Sequence, residues 1–183
     1  MAASAVEIRL PDWLAALALP PAPACDEACM RLAIAVAAEN VARGTGGPFG
    51  ACIRNDASGE IIGVGVNLAM TSGNPVLHAE TVAISMAGAR LGRPGGVTLF
   101  TSCAPCIMCL GASHWAGIRR VVSAAAKADA EAVGFSEGAG TPELRAQMSA
   151  RGVIFEDGLL REEGAAVLCQ YAGQGGVIYG PKS

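Results

Sequence analysis

Two short segments of the chain combine side chains that can bind a metal ion and move protons. The first contains His78 and Glu80, and the second contains Cys106 and Cys109 directly after Pro105. On a helix, Cys106 and Cys109 occupy neighbouring positions of one face, so both thiolates can reach one ion. With the His78 imidazole they form a nitrogen and sulfur set that suits tetrahedral zinc and leaves a fourth position for water. The spacing therefore predicts a catalytic zinc site.

Glu80 follows His78 by two residues. On a regular helix such residues point about 200° apart, so both reach one site only if the helix meets that site end-on. Glu80 would then lie beside the zinc-bound water, take its proton and deliver it to a leaving amine. The arrangement H-x-E followed by P-C-x-x-C is typical of zinc deaminases. We therefore interpret Glu80 as a catalytic proton shuttle.

Two other metal sites are compatible with the same cysteines. Cys103, Cys106 and Cys109 form C-x-x-C-x-x-C, which begins like an iron–sulfur binding run. Cys103 could also be the fourth ligand of a purely structural zinc ion. We favour the catalytic site because the chain offers no fourth cysteine close by and because either alternative would leave Glu80 without a role.

The elements that position these segments follow from hydrophobic periodicity and turn residues. Helices are predicted over residues 26–43, 78–91, 105–116, 128–133, 142–150 and 161–171. Strands are predicted over residues 49–54, 61–67, 97–101, 120–123 and 153–156, the first two forming a hairpin. This order predicts an α/β fold with a mixed five-stranded sheet covered by helices on both faces. Both metal-binding segments begin predicted helices, whose positive N-terminal ends favour thiolates.

Composition limits the class of protein. The 183 residues are 52% hydrophobic and 16% charged, which indicates one folded domain over 1–183, with an extended N-terminal arm at 1–24 and a tail at 173–183. The net charge of −3 without a basic run argues against a nucleic-acid partner. No apolar run approaches the roughly 20 residues of a membrane span, so we expect a cytoplasmic protein without a membrane partner. In such a chain, closely spaced cysteines indicate metal binding or catalysis rather than disulfides.

Beyond the two motifs, the chain resembles the cytidine deaminase-like superfamily, and within it bacterial guanine deaminases, from about residue 46 to residue 179. The matching segments are GPFG at 47–50, GVN at 65–67, HAE at 78–80, TSCAPC at 101–106, CLGA at 109–112, WAGI at 115–118 and GFSEG at 134–138. The last two are more typical of guanine deaminases than of the superfamily as a whole.

The resemblance implies a three-layer α/β/α fold, a homodimer and hydrolysis of a small nucleobase by a zinc-activated hydroxide, most specifically guanine to xanthine and ammonia. It implies that Asn67 hydrogen-bonds the purine, that Phe49 stacks near it and that the Ala79 backbone N–H binds the carbonyl oxygen. Glu137 would be a second acid that contacts the base and aids proton transfer. Trp115 is expected in the core or as a wall of the substrate site.

One position departs from the family pattern. The residue before Pro-Cys is usually Glu in the family, and here it is Ala104. The substrate therefore stays open: cytosine, adenine, a pterin, an aminotriazine or a nucleoside would each present an amino-bearing carbon to the metal. Deamination of adenosine in tRNA and a non-catalytic, zinc-stabilised binding protein are further alternatives. Glu80 argues against the last of these.

Overall fold

The fold is a sheet between two layers of helices. The computed structural model describes residues 7–22, 24–92, 94–136 and 138–180. Within these ranges the helices are α1 (Asp12–Ala15), α2 (Asp26–Ala42), α3 (Ala69–Ser72), α4 (Ala79–Ala87), α5 (Ile107–Trp115), α6 (Lys127–Ala132), α7 (Thr141–Ser149) and α8 (Arg161–Gly173). The strands are β1 (Gly50–Asn55), β2 (Ile61–Val66), β3 (Val97–Cys103), β4 (Arg120–Ala125) and β5 (Ile154–Asp157). The five predicted strands and the mixed sheet are confirmed.

The strand order is β2-β1-β3-β4-β5. Strand β1 pairs antiparallel with both β2 and β3, whereas β3, β4 and β5 run parallel. In parallel α/β sheets, ligands bind in the crevice outside the carboxyl ends of the strands. Cys103 ends β3 opposite Ala125 of β4, and the Pro105 segment leaves the sheet at this edge.

Alternating side chains of the central strands build a core on each face of the sheet. Cys52 and Phe100 point into the core beneath α2, and Ile53 and Leu99 point into the core beneath α4 and α5. All four side chains are fully buried. Because both faces are covered, β3 is buried along its whole length, including its polar residues Thr98, Thr101 and Ser102.

Two glycines of β2 allow α4 to pack closely on the sheet. A Cβ at Gly63 would overlap the carbonyl of Ala83, and a Cβ at Gly65 would overlap the carbonyl of Ala79. Any side chain at these two positions would push the helix away from the strand. The close approach sets the position of the start of α4, where His78 and Glu80 lie.

Three local features differ from the prediction. Helix α4 ends at Ala87 because Gly88 adopts φ 51°, and the chain continues as a 3₁₀ turn over Gly88–Gly92. The segment between the strand predicted over 61–67 and the helix predicted from 78, for which no helix or strand was predicted, contains α3. The N-terminal arm is not wholly extended: it includes α1, whose Leu14 is buried in the core beneath α2. Apolar burial thus stabilises a helical turn in a segment that was predicted to be an extended arm.

Among the residues that the structure describes, no helix has both the length and the apolar character needed to cross a bilayer.

Candidate metal centre and active-site cavity

The N-terminal ends of two helices meet at the predicted metal site. His78 precedes α4 with φ −72° and ψ 161°, and Cys106 precedes α5 with φ −69° and ψ 170°. Both residues are therefore extended N-caps rather than helical residues. The first N–H groups of each helix have no partner within the helix and give this end partial positive charge. The site therefore favours thiolates and other anions.

The three predicted ligands lie together with spacings that fit zinc. Cys106 Sγ lies 3.6 Å from Cys109 Sγ, and His78 Nδ1 lies 3.6 Å from each sulfur. Zn–S distances of about 2.3 Å and Zn–N distances of about 2.0 Å, at tetrahedral angles, require roughly 3.8 Å between sulfurs and roughly 3.6 Å between sulfur and nitrogen. The spacing is therefore that of three ligands around one tetrahedral ion.

Cys103 and Glu80 are not members of this ligand group. Among the described residues, the side chains whose ligand atoms all lie within 4.8 Å of one another are those of His78, Cys106 and Cys109. The Cys103 thiol is directed to the Ala126 carbonyl, 3.8 Å away. This geometry does not support an iron–sulfur run or a four-ligand structural zinc site, and it leaves one coordination position for a non-protein ligand.

The pKa values of the two thiols are shifted in opposite directions. The hydrogen bond between Cys106 and Cys109 lowers the pKa of Cys106 to about 4, and the contact with His78 acts in the same direction. The same hydrogen bond, together with burial, raises the pKa of Cys109. Cys106 is therefore a thiolate at neutral pH, and metal binding has to displace only the proton of Cys109.

Glu80 lies beside the ligand group and is buried, with 6% of its surface exposed. Its Oε2 accepts a hydrogen bond from Cys109 Sγ at 3.3 Å, and its Oε1 lies 3.2 Å from the Thr101 hydroxyl. Burial raises the pKa of the Glu80 carboxyl above its usual value. A carboxyl group whose pKa is raised towards neutrality can both accept and return a proton, as acid–base catalysis requires.

A cavity of about 680 Å³ opens next to these groups. Its walls are largely apolar, with few polar side chains, as is typical of small-molecule sites. The aromatic part of the wall is formed by Phe49, Phe135 and Tyr179. The Phe135 ring centroid lies 5.0 Å from that of Phe49 and 5.3 Å from that of Tyr179, both edge-on. The aromatic cluster provides an apolar wall in the cavity that also contains His78 and Cys106.

Asn67 provides a polar group in this wall and is 1% exposed. Its Oδ1 accepts a hydrogen bond from the Ala69 N–H at 3.1 Å. That bond determines which end of the amide is free, and Nδ2 has no hydrogen-bond partner within the described part of the chain. A buried donor without a partner costs free energy, so a ligand that supplies an acceptor here is favoured.

The sequence of residues 23–125 matches the family described as the cytidine and deoxycytidylate deaminase zinc-binding region. The chain belongs to this family. Membership confirms the predicted zinc-dependent deaminase chemistry and the predicted fold, and the family's zinc-binding segment includes His78, Cys106 and Cys109.

Individual proteins of known activity show which kinds of deaminase the chain is similar to. The chain is 44% identical over 113 residues to guanine deaminase of Bacillus subtilis (strain 168), covering 61% of this chain and 71% of that protein. A solved structure of guanine deaminase from Nitrosomonas europaea aligns with a TM-score of 0.86 and 34% identity, covering 94% of this chain and 99% of that chain. Another solved structure, determined in complex with 2,6-diaminopurine, aligns with a TM-score of 0.85 and 35% identity, covering 96% of this chain and 97% of that one.

The other predicted site residues differ in where they lie relative to the deaminase cavity. Phe49 and Asn67 line it. Ala79 is the first residue of α4 and is fully buried, so its N–H belongs to the helix end that faces the metal group. Glu137 lies outside the described residues. The roles of these four residues stay predictions.

Trp115 requires a correction. It is the last residue of α5, and its side chain is 90% exposed rather than in the core. It does not line the cavity. The reason is geometric: Trp115 lies nine residues after Cys106, and a helix rises about 1.5 Å per residue, so the two are about 13 Å apart along α5. Within one chain, Trp115 is not a substrate contact.

Sequence reasoning did not assign a role to two residues of the deaminase site. Thr101 contacts Glu80, and Tyr179 places a ring from the C-terminal tail in the cavity wall. A signal for Thr101 was present: it lies two residues before Cys103 on β3, and alternate strand residues share a face. Tyr179 had no comparable signal, because it reaches the cavity through tertiary packing alone.

Proposed function

We propose that this protein hydrolyses guanine to xanthine and ammonia. The observation that carries the proposal is the unpartnered, buried Nδ2 of Asn67 in a cavity that also contains Glu80 and the zinc ligands. An uncharged purine offers ring nitrogen and carbonyl acceptors to that donor and an amino-bearing carbon to the metal site. The similarity to two guanine deaminases supports guanine among the amino-bearing rings.

The proton steps in this proposal belong to Glu80. Zinc held by His78, Cys106 and Cys109 would supply a Lewis acid that lowers the pKa of water. Glu80 takes a proton from the water whose oxygen bonds to C2, and passes it to ring nitrogen N3. As the bond from C2 to the amino nitrogen breaks, Glu80 takes the remaining proton from the C2 hydroxyl and delivers it to the departing amine, which leaves as ammonia while C2 becomes the carbonyl carbon of xanthine. Its burial keeps bulk water from exchanging that proton during the step.

The remaining residues would bind and orient the ring. Asn67 donates to an acceptor of the purine, the Ala79 N–H at the start of α4 binds the carbonyl oxygen, and Phe49 packs against the ring. Glu137 follows Ser136, which lines the cavity, and would contact the base as a second acid. Each of these contacts discriminates by hydrogen bonding or shape and none needs a charged substrate, which agrees with a neutral nucleobase.

The test is ammonia release by the zinc-loaded protein from guanine, cytosine, adenine, cytidine, adenosine, guanosine, a pterin, an aminotriazine and a tRNA. Guanine should react fastest. Glu80→Gln should keep its zinc and lose at least about 100-fold in kcat. Faster turnover of another compound in this panel would contradict guanine as the substrate but would leave the deaminase chemistry in place. No turnover of any member with zinc bound would contradict the proposal as a whole.

We also propose a homodimer that uses the outer surface of α4 and α5. These two helices pack on each other, and each exposes a large apolar side chain: Met86 of α4 is 39% and Trp115 of α5 is 90% exposed. Exposed apolar side chains on neighbouring helices indicate a protein interface. Light scattering after gel filtration should give twice the chain mass, and Trp115→Ser should shift the protein towards monomer. A wild-type monomer at micromolar concentration would contradict the dimer.

A further inference from the structure

The loop between α6 and α7, residues 133–140, forms one wall of the cavity through Phe135, Ser136 and Gly138. Its first half is held firmly. Phe135 is 3% exposed, its ring packs against Phe49 and Tyr179, and its N–H donates to the Ala130 carbonyl at 3.0 Å. The position of Phe135 therefore does not depend on the rest of the loop.

Gly138 and Gly140, in the second half of the loop, carry no side chains that could pack in the core. Gly138 and Gly140 have φ values of 74° and 78°, in the left-handed region that glycine adopts most easily. Without side chains, these residues contribute little packing to the core. A Cβ at either position would lie 3.2–3.4 Å from the Ile107 side chain, so Ile107 of α5 limits the loop on one side. Contact with Ile107 blocks inward movement but does not prevent the loop from moving outward.

Lys127 supplies the restraint on the other side. Its Nζ donates a hydrogen bond of 2.8 Å to the Gly138 carbonyl. The same Nζ lies farther, 3.6 Å, from Oε1 of Glu131. A hydrogen bond from an ammonium group is stronger than one between neutral groups. The shorter, well-formed contact of Lys127 is therefore the contact to the loop.

The location of this lysine is unfavourable for α6 itself. Lys127 is the first residue of the helix, where a positive charge faces the positive end of the helix dipole. The start of α6 is stabilised instead by Asp129, whose Oδ2 accepts the Ala126 N–H at 2.8 Å. Arg161 of α8 donates to both carboxylate oxygens of Asp129, at 2.9 and 3.0 Å. Helix α6 is thus anchored without Lys127, and it offers the loop a fixed point of attachment.

We propose that Lys127 is a positioning residue for substrate binding, which holds the Gly138 end of the α6–α7 loop against the cavity. In doing so it sets the distance of Ser136 from the metal side of the cavity. The functional part of this inference rests on guanine as the substrate. A wall that is displaced by about 1 Å is sufficient to weaken binding and alignment substantially.

The experiment compares Lys127→Met, which keeps the apolar stem and removes the donor, with Lys127→Arg, which keeps a cationic donor. The matched control is Glu131→Gln, which removes the other partner of Lys127 and leaves the bond to Gly138. Lys127→Met should raise KM for guanine about tenfold while kcat changes less than about threefold. Lys127→Arg should restore KM to within about threefold of wild type, and Glu131→Gln should match wild type in both constants. Zinc content should be equal in all four proteins.

A second measurement does not require guanine turnover. Hydrogen exchange of the backbone amides between residues 136 and 141 should be faster in Lys127→Met than in wild type, with the exchange of α8 unchanged. Unchanged loop exchange, or unchanged guanine KM in Lys127→Met, would overturn the inference. An equal KM increase in Glu131→Gln would also overturn it, because the effect would then come from α6 stability. If wild type does not deaminate guanine, the substrate proposal fails and loop exchange alone decides the role of Lys127.

Discussion

The Glu80 carboxylate accepts a hydrogen bond from the Cys109 thiol at 3.3 Å, although 29 residues separate them in the chain. The contact places a proton carrier beside the metal group without making it a ligand. It is possible because His78 is an extended N-cap, so its side-chain direction does not follow the helical periodicity that begins at Ala79. Ligand and proton carrier can therefore face one cavity despite a spacing of two residues.

Loss of a metal ligand should abolish zinc binding, whereas loss of the nearby third cysteine should not. Cys106→Ala removes one of three ligands, and zinc affinity should fall by more than about 100-fold because an ion held by two protein ligands has lost much of its binding free energy. Cys103→Ala is the control, since its thiol is directed to the Ala126 carbonyl. The zinc content of the purified Cys106→Ala and Cys103→Ala proteins tests both expectations. Zinc loss in Cys103→Ala would mean that Cys103 binds the ion.

Substitution by alanine should lower mainly stability at one buried asparagine and mainly activity at another. The Asn40 amide donates to the carbonyls of Gly47 and Asn67, at 2.9 and 3.0 Å, and each carbonyl also accepts a backbone N–H. Asn40→Ala removes two buried hydrogen bonds and should destabilise the fold by about 1–3 kcal/mol. Asn67→Ala removes one internal acceptor, and its main cost should be a loss of about 10- to 100-fold in kcat/KM for guanine. Thermal melting and steady-state kinetics of both variants test the contrast. Guanine kinetics of Asn67→Ala equal to wild type would exclude Asn67 from binding.

Alanine at two adjacent glycines should likewise lower mainly stability at one position and mainly activity at the other. A Cβ at Gly46 would overlap the backbone carbonyl of Asn67, so Gly46→Ala should destabilise the fold by about 1–3 kcal/mol. A Cβ at Gly47 would overlap the Tyr179 hydroxyl, at the end of a side chain that can move. Gly47→Ala should therefore melt near the wild-type temperature and lower kcat/KM about tenfold, as Tyr179→Ala should also do. A large drop in melting temperature for Gly47→Ala would show that Tyr179 cannot move to accommodate the added methyl group.

Acid should weaken an ion-pair cluster at the edge of the sheet. Asp26 contacts Arg120 at 2.5 Å and Arg54 at 2.6 Å, and the hydrogen bond from Arg120 is the main cause of the lowered pKa of Asp26. Because the folded-state pKa lies below the unfolded value of about 3.9, the stabilisation is complete above that value and is lost as the pH falls through the folded-state pKa. Melting temperature should therefore fall more steeply below pH 4 in wild type than in Asp26→Asn.

The control for this pH series is Asp12→Asn, which removes an exposed carboxylate of α1 and changes the net charge equally. Its melting temperature should follow the wild-type pH profile. Parallel profiles for wild type and Asp26→Asn would show that the Asp26 ion pairs are too well solvated to affect stability.

The zinc ligands, Glu80 and the strand pattern could be predicted from the sequence because each depends on local spacing. Cys106, the N-cap of α5, lies three residues before Cys109, and turn residues mark where the strands end. Asn67, a strand end close to a turn, was assigned to substrate binding through resemblance. Its free amide hydrogen is known only from the structure, because the Ala69 N–H occupies its oxygen.

Contacts between distant segments were decided by the tertiary structure alone. Cys103 and Cys106 have the same spacing as Cys106 and Cys109, yet Cys103 still belongs to β3 and its thiol is directed to the Ala126 carbonyl. Trp115 lies in a segment that resembles guanine deaminases, but the length of α5 carries it away from the cavity. Tyr179 and Lys127 reach the cavity wall only because α8 and α6 pack where they do. Local spacing determines which atoms can share an ion, whereas the packing of helices on the sheet determines which distant side chains surround it.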